Sequence, residues 1–466
     1  MIVKKFADFI VNLKYENISK DAIQQAELCL IDYIGVYLRG RNEIAPQILK
    51  KSVDLINHSY SDNMLGEAMF LGTASHVLDL DDGHDVARVH LGTVAFSTAI
   101  ALCNKLAVNG KQFIEAIVAG YEVGIVLGSI ANPNHRNQGF HSTGTIGTFV
   151  AGTVASKILG LNYYQTIQCL GLCGTQSAGL LESDHQGTMA KAFHSGNAAS
   201  NGILSAFLAY NGFTGAESII DGDEGFLKAR AIGDIRSDKS LKEVNKNKID
   251  RNLFKLTDEF QIEDIYFKLY PFCRHIHSSI ESSLYLNNII KKDYTAIDAI
   301  DIYTYKTASE HDNYNPINAE ELRQSLPYAV AIAIVCGEVG LTKVNFLIQD
   351  GLFKDIDDVD DDKVHDIKIL VDKIHIHDKK EFDNLEAGTR PANVKVKLNE
   401  KFRGGVFEHT TIFPKGNKRN PVKPGEVIDK FRKLNPRYPI KKLNAIDYIE
   451  SSEMNELLNM LLNYDY

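Results

Sequence analysis

The chain has 466 residues, about three times the ~150 of a typical domain, so two cores are expected rather than one. Hydrophobic residues make up 44% and charged residues 24%, a globular composition that excludes a disordered chain. The formal charge of -9, from 51 Lys and Arg against 60 Asp and Glu, excludes a broadly basic surface for nucleic acid or anionic lipid. Any anionic ligand must therefore be met by a local group of cations.

In chain order, the apolar run of MIVKKFADFIVNLKYEN is broken by Asp8, Asn12 and Lys14, unlike the core of a signal peptide. Ile23, Ala26, Leu30, Ile34 and Leu38 step by three and four, with Ser19 as N-cap and Gly40 as stop, which predicts one amphipathic helix. Helices are also predicted over 93–108, 111–130, 145–159, 163–178 and 190–210, broken by Asn109-Gly110, Gly160 and Asn211-Gly212. Several are rich in Gly, Ala, Ser and Thr, which suggests helices packed backbone-close inside a bundle. Val94 to Val108, the stretch read as most apolar, carries Ser97, Thr98, Asn104 and Lys105 and is shorter than the ~20 residues of a membrane span. A cytoplasmic protein with no membrane partner is expected. The six cysteines are scattered without a CxxC pair and read as small, reduced core residues.

After about residue 262 the pattern changes. Ala299 to Thr307 and Asn393 to Leu398 alternate with period two, and Val406 to Ile412 can pair with the latter across Gly404-Gly405. Helices at 319–337 and 363–371 lie between them, and the last fifty residues return to helix, one opened by Pro424 and one faced by Met454, Leu457, Leu458 and Leu461. The expected fold is mainly α. A large all-helical domain over 1–262, completed by 415–466, accompanies a smaller α+β domain over 263–414.

Four stretches carry candidate chemistry. HVLDLDDGHDVARVH (76–90) holds His76, Asp79, Asp81, Asp82, His84, Asp85 and His90; it reads as a metal site, a solvated loop, or an acid/base cluster ahead of a helix whose amides from Gly92 onward could meet an anion. GFHSTGTIG (139–147) places His141 just before a helix, facing a pocket or serving only structure. Lys191, in MAKAFHSGNAAS, is a long cation among small residues; inside a bundle it needs an anionic partner, and His194 lies one turn further on. In FKLYPFCRHIH (267–277), Lys268, Arg274, His275 and His277 form either an anion clamp or a basic linker. His375 and His377, on a predicted strand, read as exposed, and the acidic run 355–362 reads as a solvated loop.

Taken together, HVLDLDDGH with His90 beyond it, GYEVG at 120–124, GFHSTGTIGTFVAG at 139–152, the Lys191–Gly202 stretch, EGF at 224–226, KLYPFCRHIH, QSLPYAVA at 324–331 and PKGNKRNP at 414–421 resemble the MmgE/PrpD family, in order from about residue 3 to 436. The resemblance implies a homodimer without cofactor or metal, built from a helical domain and an α+β lid, acting on a small polycarboxylate. Members include 2-methylcitrate dehydratase, cis-aconitate decarboxylase and iminodisuccinate epimerase. Family site residues fall on Asp79, His90, His141, Lys191, Lys268 and Tyr328 as the catalytic set, and His84, Arg274 and His277 are expected to bind substrate. The leading expectation is a hydro-lyase converting 2-methylcitrate to 2-methyl-cis-aconitate and water, with decarboxylase, epimerase or non-catalytic carboxylate binding as alternatives. The histidines would move protons, the lysines hold carboxylates, Asp79 orient a histidine, and Tyr328 donate a hydrogen bond. Two positions depart from the family pattern: Gly83 where Thr is usual, and Leu91 where Pro is usual.

Overall fold

Helices without bulky side chains can approach until backbones touch, and the first half of this chain uses that freedom. In a computed structural model the described residues are all but 58–62, 233–246, 254–255, 257–258, 291–293, 357–358, 360, 400–403 and 465–466. The described chain forms two units: Met1–Glu182 with Met189–Tyr266 and Lys423–Tyr466, and Ser183–Thr188 with Phe267–Val422.

The first unit is helical. Helices at Gly92–Cys103, Gly110–Ala131, Ser142–Ile158, Tyr163–Gln176 and Ala190–Tyr210 follow the predicted periodicity, and Met64–His76 is a further helix the periodicity did not predict; Asn63, Asn109 and Asn162 set helix starts, their side chains accepting backbone N–H groups. The Ala190–Tyr210 helix packs on both Ser142–Ile158 and Met64–His76. A Cβ on Gly72 would sit 2.6 Å from the Gly196 Cα, so this crossing requires glycine. The longest apolar helix is Gly110–Ala131 rather than the 94–108 stretch; it alone among the described residues is long and apolar enough to cross a membrane, and it lies buried in this unit.

The C-terminal segment returns to the same unit. Pro424 opens the Pro424–Leu434 helix, whose inner face of Val427, Lys430, Phe431 and Leu434 packs on the Lys20–Gly40 helix. Met454, Leu457, Leu458 and Leu461 are buried by the Met454–Leu462 helix, as their spacing predicts.

The second unit is α+β. Its sheet joins β1 (Ile297–Thr304), β2 (Ile374–Asp378), β3 (Ala392–Leu398) and β4 (Gly405–Thr411) in the order β2-β1-β3-β4. β1 runs parallel to β2 and antiparallel to β3, with Ile300 opposite Ile374 and Val396. Alternate residues Ile300, Ile302, Val394 and Val396 enter a core with Ile280, Leu286 and Ile332. The predicted 319–337 helix is broken: Ala319–Leu322 ends, Ser325 caps a new helix by accepting from the Tyr328 N–H, and Pro327 occupies its first turn, giving Leu326–Cys336. His377 on β2 is partly exposed and lies 2.6 Å from Asp301, and of the acidic run, residues 357, 358 and 360 lie outside the described residues while Asp361 caps the Asp362–Val371 helix.

Candidate active site

The 76–90 segment is not a solvated loop. His76, Asp79, Asp81, Asp82, His84 and Asp85 are all buried, because the segment lies between the end of the Met64–His76 helix and the start of Gly92–Cys103, inside the helical unit. Burial of so many polar groups is tolerable only if each is partnered, and the partners define the site.

Asp81 stands between two imidazoles. Its Oδ2 lies 2.8 Å from His76 Nδ1 and 3.2 Å from His90 Nδ1. His90 Nδ1 is also 2.8 Å from the Asp82 carbonyl, so this nitrogen faces two acceptors and carries the hydrogen, which leaves Nε2 of the neutral ring as a base. Burial alone would raise the Asp81 carboxyl, but the two imidazoles hold it well below the usual carboxylate range. His76 is itself lowered by burial, against the pull of Asp81. These three residues are the one His/carboxylate group among the described residues whose donor atoms gather within 4.8 Å, and the hydrogen bonds within the trio already account for that spacing.

Asp79 sits at a left-handed φ of 52°, a strained conformation for a residue with a Cβ, and its carboxylate meets Lys191 Nζ at 3.3 Å. The anionic partner that an interior lysine needs is thus Asp79. Asp81, which the expected catalytic set did not include, is a carboxylate that orients imidazoles.

Asp82 corrects a further expectation. Its Oδ1 accepts the Gly92 N–H at 2.8 Å and its Oδ2 accepts the Tyr121 hydroxyl at 2.5 Å, so the protein's own carboxylate occupies the helix start expected to meet a ligand anion. A Cβ at Gly92 would fall 2.8 Å from Asp82 Oδ2, so this contact too depends on glycine. Burial pushes the Asp82 carboxyl up to about 6.

His141 stands just before the Ser142–Ile158 helix, its ring stacked on His76 with centroids 5.8 Å apart. Its Nδ1 lies 2.9 Å from His194 Nδ1. Burial first, then His194, His76, Lys191 and His90, push the His141 imidazole well below its ordinary value, so it rests neutral. His84 closes the loop: its Nδ1 accepts the Ala87 N–H at 3.0 Å and its backbone exchanges hydrogen bonds with Val89 and Arg88. Gly83 exchanges backbone hydrogen bonds with Tyr266, and a Cβ at 83 would fall 2.7 Å from Tyr266 Cζ. The Tyr266 ring stands edge-on to His90 at 6.5 Å, so its phenol occupies the space into which a side chain at 83 would project.

The remaining expected residues belong to the second unit. Lys268 and Tyr328 are buried there, Tyr328 in the first turn of Leu326–Cys336, with burial raising its phenol. Arg274 donates to the Lys415 carbonyl at 2.9 Å and His277 Nε2 lies 3.0 Å from the Phe272 carbonyl. Neither forms an exposed basic linker; both are buried.

His90, His141, Lys191 and Asp79 therefore come together in one unit with His76, Asp81 and His194. Residues 4–236 match the MmgE/PrpD N-terminal domain and residues 270–452 the MmgE/PrpD C-terminal domain. The chain belongs to the MmgE/PrpD family. A cis-aconitate decarboxylase-like protein of Aspergillus oryzae is 25% identical over 100% of this chain and 94% of its own length. The cis-aconitate decarboxylase of Aspergillus terreus is 22% identical over 97% of this chain and 91% of its own. The human cis-aconitate decarboxylase is 27% identical over 48% of this chain and 49% of its own.

Behind the site lies a pair that no motif signalled. Lys430 Nζ donates to Asp32 Oδ1 at 2.6 Å and to the Leu80 carbonyl at 2.5 Å, holding the peptide between Asp79 and Asp81. The available signal was a lysine at a core position of an amphipathic helix, between Val427 and Phe431.

Proposed function

We propose that this protein is a lyase acting on a small tricarboxylate, and that the reaction is decarboxylation of cis-aconitate or a close analogue. The observation that carries the choice is that relatives aligned over nearly the whole chain bear the names cis-aconitate decarboxylase and cis-aconitate decarboxylase-like protein. The 2-methylcitrate hydro-lyase expected from the resemblance would draw on the same histidines and lysine, and the relatives' names move the preference away from it.

Decarboxylation breaks the carbon–carbon bond to the carboxylate on the methylene carbon. Its electron pair forms a new terminal double bond, the old double bond shifts, and the former vinyl carbon takes a proton. The acid nearest the role is His141, and His90, its ring fixed by Asp81 and the Asp82 carbonyl, lines the same cluster. Lys191, already turned toward Asp79, can pair with a substrate carboxylate and hold the negative charge that builds as the bond breaks. Asp79 keeps that ammonium aimed when no substrate is bound. Lys268 and Tyr328 are assigned to the reaction by the resemblance alone.

The test is incubation with cis-aconitate, 2-methylcitrate, citrate and iminodisuccinate, followed by mass spectrometry. Loss of CO2 from cis-aconitate, abolished in His90→Ala and Lys191→Ala, is the expected outcome. Loss of water from 2-methylcitrate alone would replace decarboxylation with the hydro-lyase, and tricarboxylate binding by calorimetry without turnover would make the protein a binding module. A homodimer is part of the same proposal, supported by Phe193 and Leu204, two exposed apolar residues eleven apart on one helix face. Monomeric mass by light scattering would remove it.

A further inference from the structure

Decarboxylation consumes a proton. A tricarboxylate loses CO2 and its new carbanion is quenched, so each turnover draws one hydrogen ion from solvent into the site. A buried imidazole can deliver that proton once, and it must then be recharged. His76 and His90 are poorly placed to recharge it, because each holds its Nδ1 hydrogen against Asp81 and His76 is itself buried. His141 is also buried. Its Nδ1 instead meets His194 Nδ1 at 2.9 Å, with ring centroids 5.1 Å apart. His194 is only half-buried and sits on the Ala190–Tyr210 helix, one turn beyond Lys191 and directly after the exposed Phe193.

Two Nδ1 atoms at that distance share one hydrogen, so the pair has two neutral states. In one, His141 holds the shared hydrogen and its Nε2 is a bare base. In the other, His194 holds it and His141 carries its own hydrogen on Nε2, ready to donate. We propose that His194 is the relay that passes a hydrogen to His141 Nδ1 as His141 Nε2 protonates the substrate carbon, so that His141 donates without becoming an imidazolate. His141 gives its Nε2 hydrogen to the substrate carbon as its Nδ1 takes the shared hydrogen from His194 Nδ1, and His194 gains a hydrogen from water at Nε2. Once product has left, water returns a hydrogen to His141 Nε2 while the shared hydrogen goes back to His194 Nδ1 and His194 Nε2 releases one to solvent, which restores the donating state. Bonds and charge balance: one carbon–carbon bond breaks, one carbon–hydrogen bond forms, and water supplies one hydrogen ion. The surroundings favour a relay over a stored cation, because burial, and after it His194, His76, Lys191 and His90, disfavour a charged ring at His141.

This inference rests on the decarboxylase reading and deepens it. The experiment compares wild type, His194→Ala and His194→Gln on cis-aconitate in a weakly buffered medium, with and without added imidazole. Glutamine can still hydrogen-bond His141 and hold its ring, yet it cannot pass a proton. The expected result is that both variants lose about 10- to 100-fold in kcat with little change in KM, and that imidazole restores kcat in His194→Ala but leaves wild type unchanged. A His194→Gln variant with wild-type kcat, or a slow His194→Ala variant that imidazole does not rescue, would overturn the relay while leaving the decarboxylase intact. Wild type that releases no CO2 from cis-aconitate would overturn the decarboxylase reading, and the relay with it.

Discussion

Asp81 shows how one carboxylate can fix two rings. It accepts from the Nδ1 atoms of His76 and His90, and its own charge is held by them. An Asp81→Asn variant keeps the shape but loses the charge, and its amide can present hydrogen to a nitrogen that must itself carry one. The rings of His76 and His90 then lose the acceptor that holds them beside His141. Turnover is expected to fall by about 10²-fold or more, with the protein still folded by circular dichroism. A second residue-scale expectation concerns acid. His135, buried between the Thr145 hydroxyl at 2.7 Å and the Arg230 carbonyl at 3.1 Å, has its imidazole pushed down to about 4 by burial. Below its unfolded value of 6.5 the unfolded chain takes up a proton that the folded chain refuses. His135 therefore contributes stability that is complete above 6.5 and is lost as pH falls toward 4. Urea titrations of wild type and His135→Gln across that window should show a steeper decline in the wild type. The sequence made the 76–90 cluster and Lys191 conspicuous because charged residues stood among apolar ones. It could not distribute the roles of Asp79, Asp81 and Asp82, since three carboxylates within four positions turn to different partners only when the loop is wound through a left-handed residue.

At the scale of elements, the helices were legible because three-and-four spacing survives even where side chains are small. Predicted 111–130 and 190–210 appear as Gly110–Ala131 and Ala190–Tyr210. The exception, 319–337, broke because Ser325 and Pro327 start a helix more strongly than the surrounding apolar residues continue one. Which helices cross closely was not legible, since small residues signal proximity without naming the partner. The structure names it: Gly72 and Gly196 are where the Met64–His76 and Ala190–Tyr210 helices meet. The first of these helices leads into Asp79, and the second carries Lys191 and His194. Gly72→Ala must push the two apart, at a cost of about 1–3 kcal/mol, and should separate Lys191 from Asp79 as it does so. The melting temperature and kcat/KM should both fall. Gly425→Ala supplies the contrast: with nothing within 4 Å of its added methyl group, in the first turn of Pro424–Leu434, it should leave both unchanged or raise stability slightly.

For the whole molecule, the decisive feature is that a chain which leaves the helical unit at Tyr266 comes back to it at Lys423 and ends up supporting its loop of acids. Composition and periodicity suggested this return, because a terminal amphipathic helix must cover something apolar. They did not reveal that the helix brings a charge with it. Lys430 is buried against Asp32 and the Leu80 carbonyl, Asn435 donates to the Gly35 carbonyl at 2.9 Å, and a Cβ on Gly35 would fall 2.8 Å from the Phe431 ring. Burial pushes the Asp32 carboxyl up to about 7 even with Lys430 beside it. In Lys430→Met that carboxyl loses its cation and rises further. A raised carboxyl contributes stability that is complete below its unfolded value, near 3.8, and is lost as pH climbs through the folded value. The variant should therefore be close to wild type at about pH 5, where Asp32 is neutral in both, and fall behind by about 1–2 kcal/mol at about pH 8, where the wild-type carboxyl ionises beside its cation and the variant must keep it protonated. Urea unfolding at the two pH values measures this directly. Adding Asp32→Asn should erase most of the deficit at the higher pH, because no charge is then left to bury, whereas a deficit equal at both pH values would mean that Lys430 acts by packing alone.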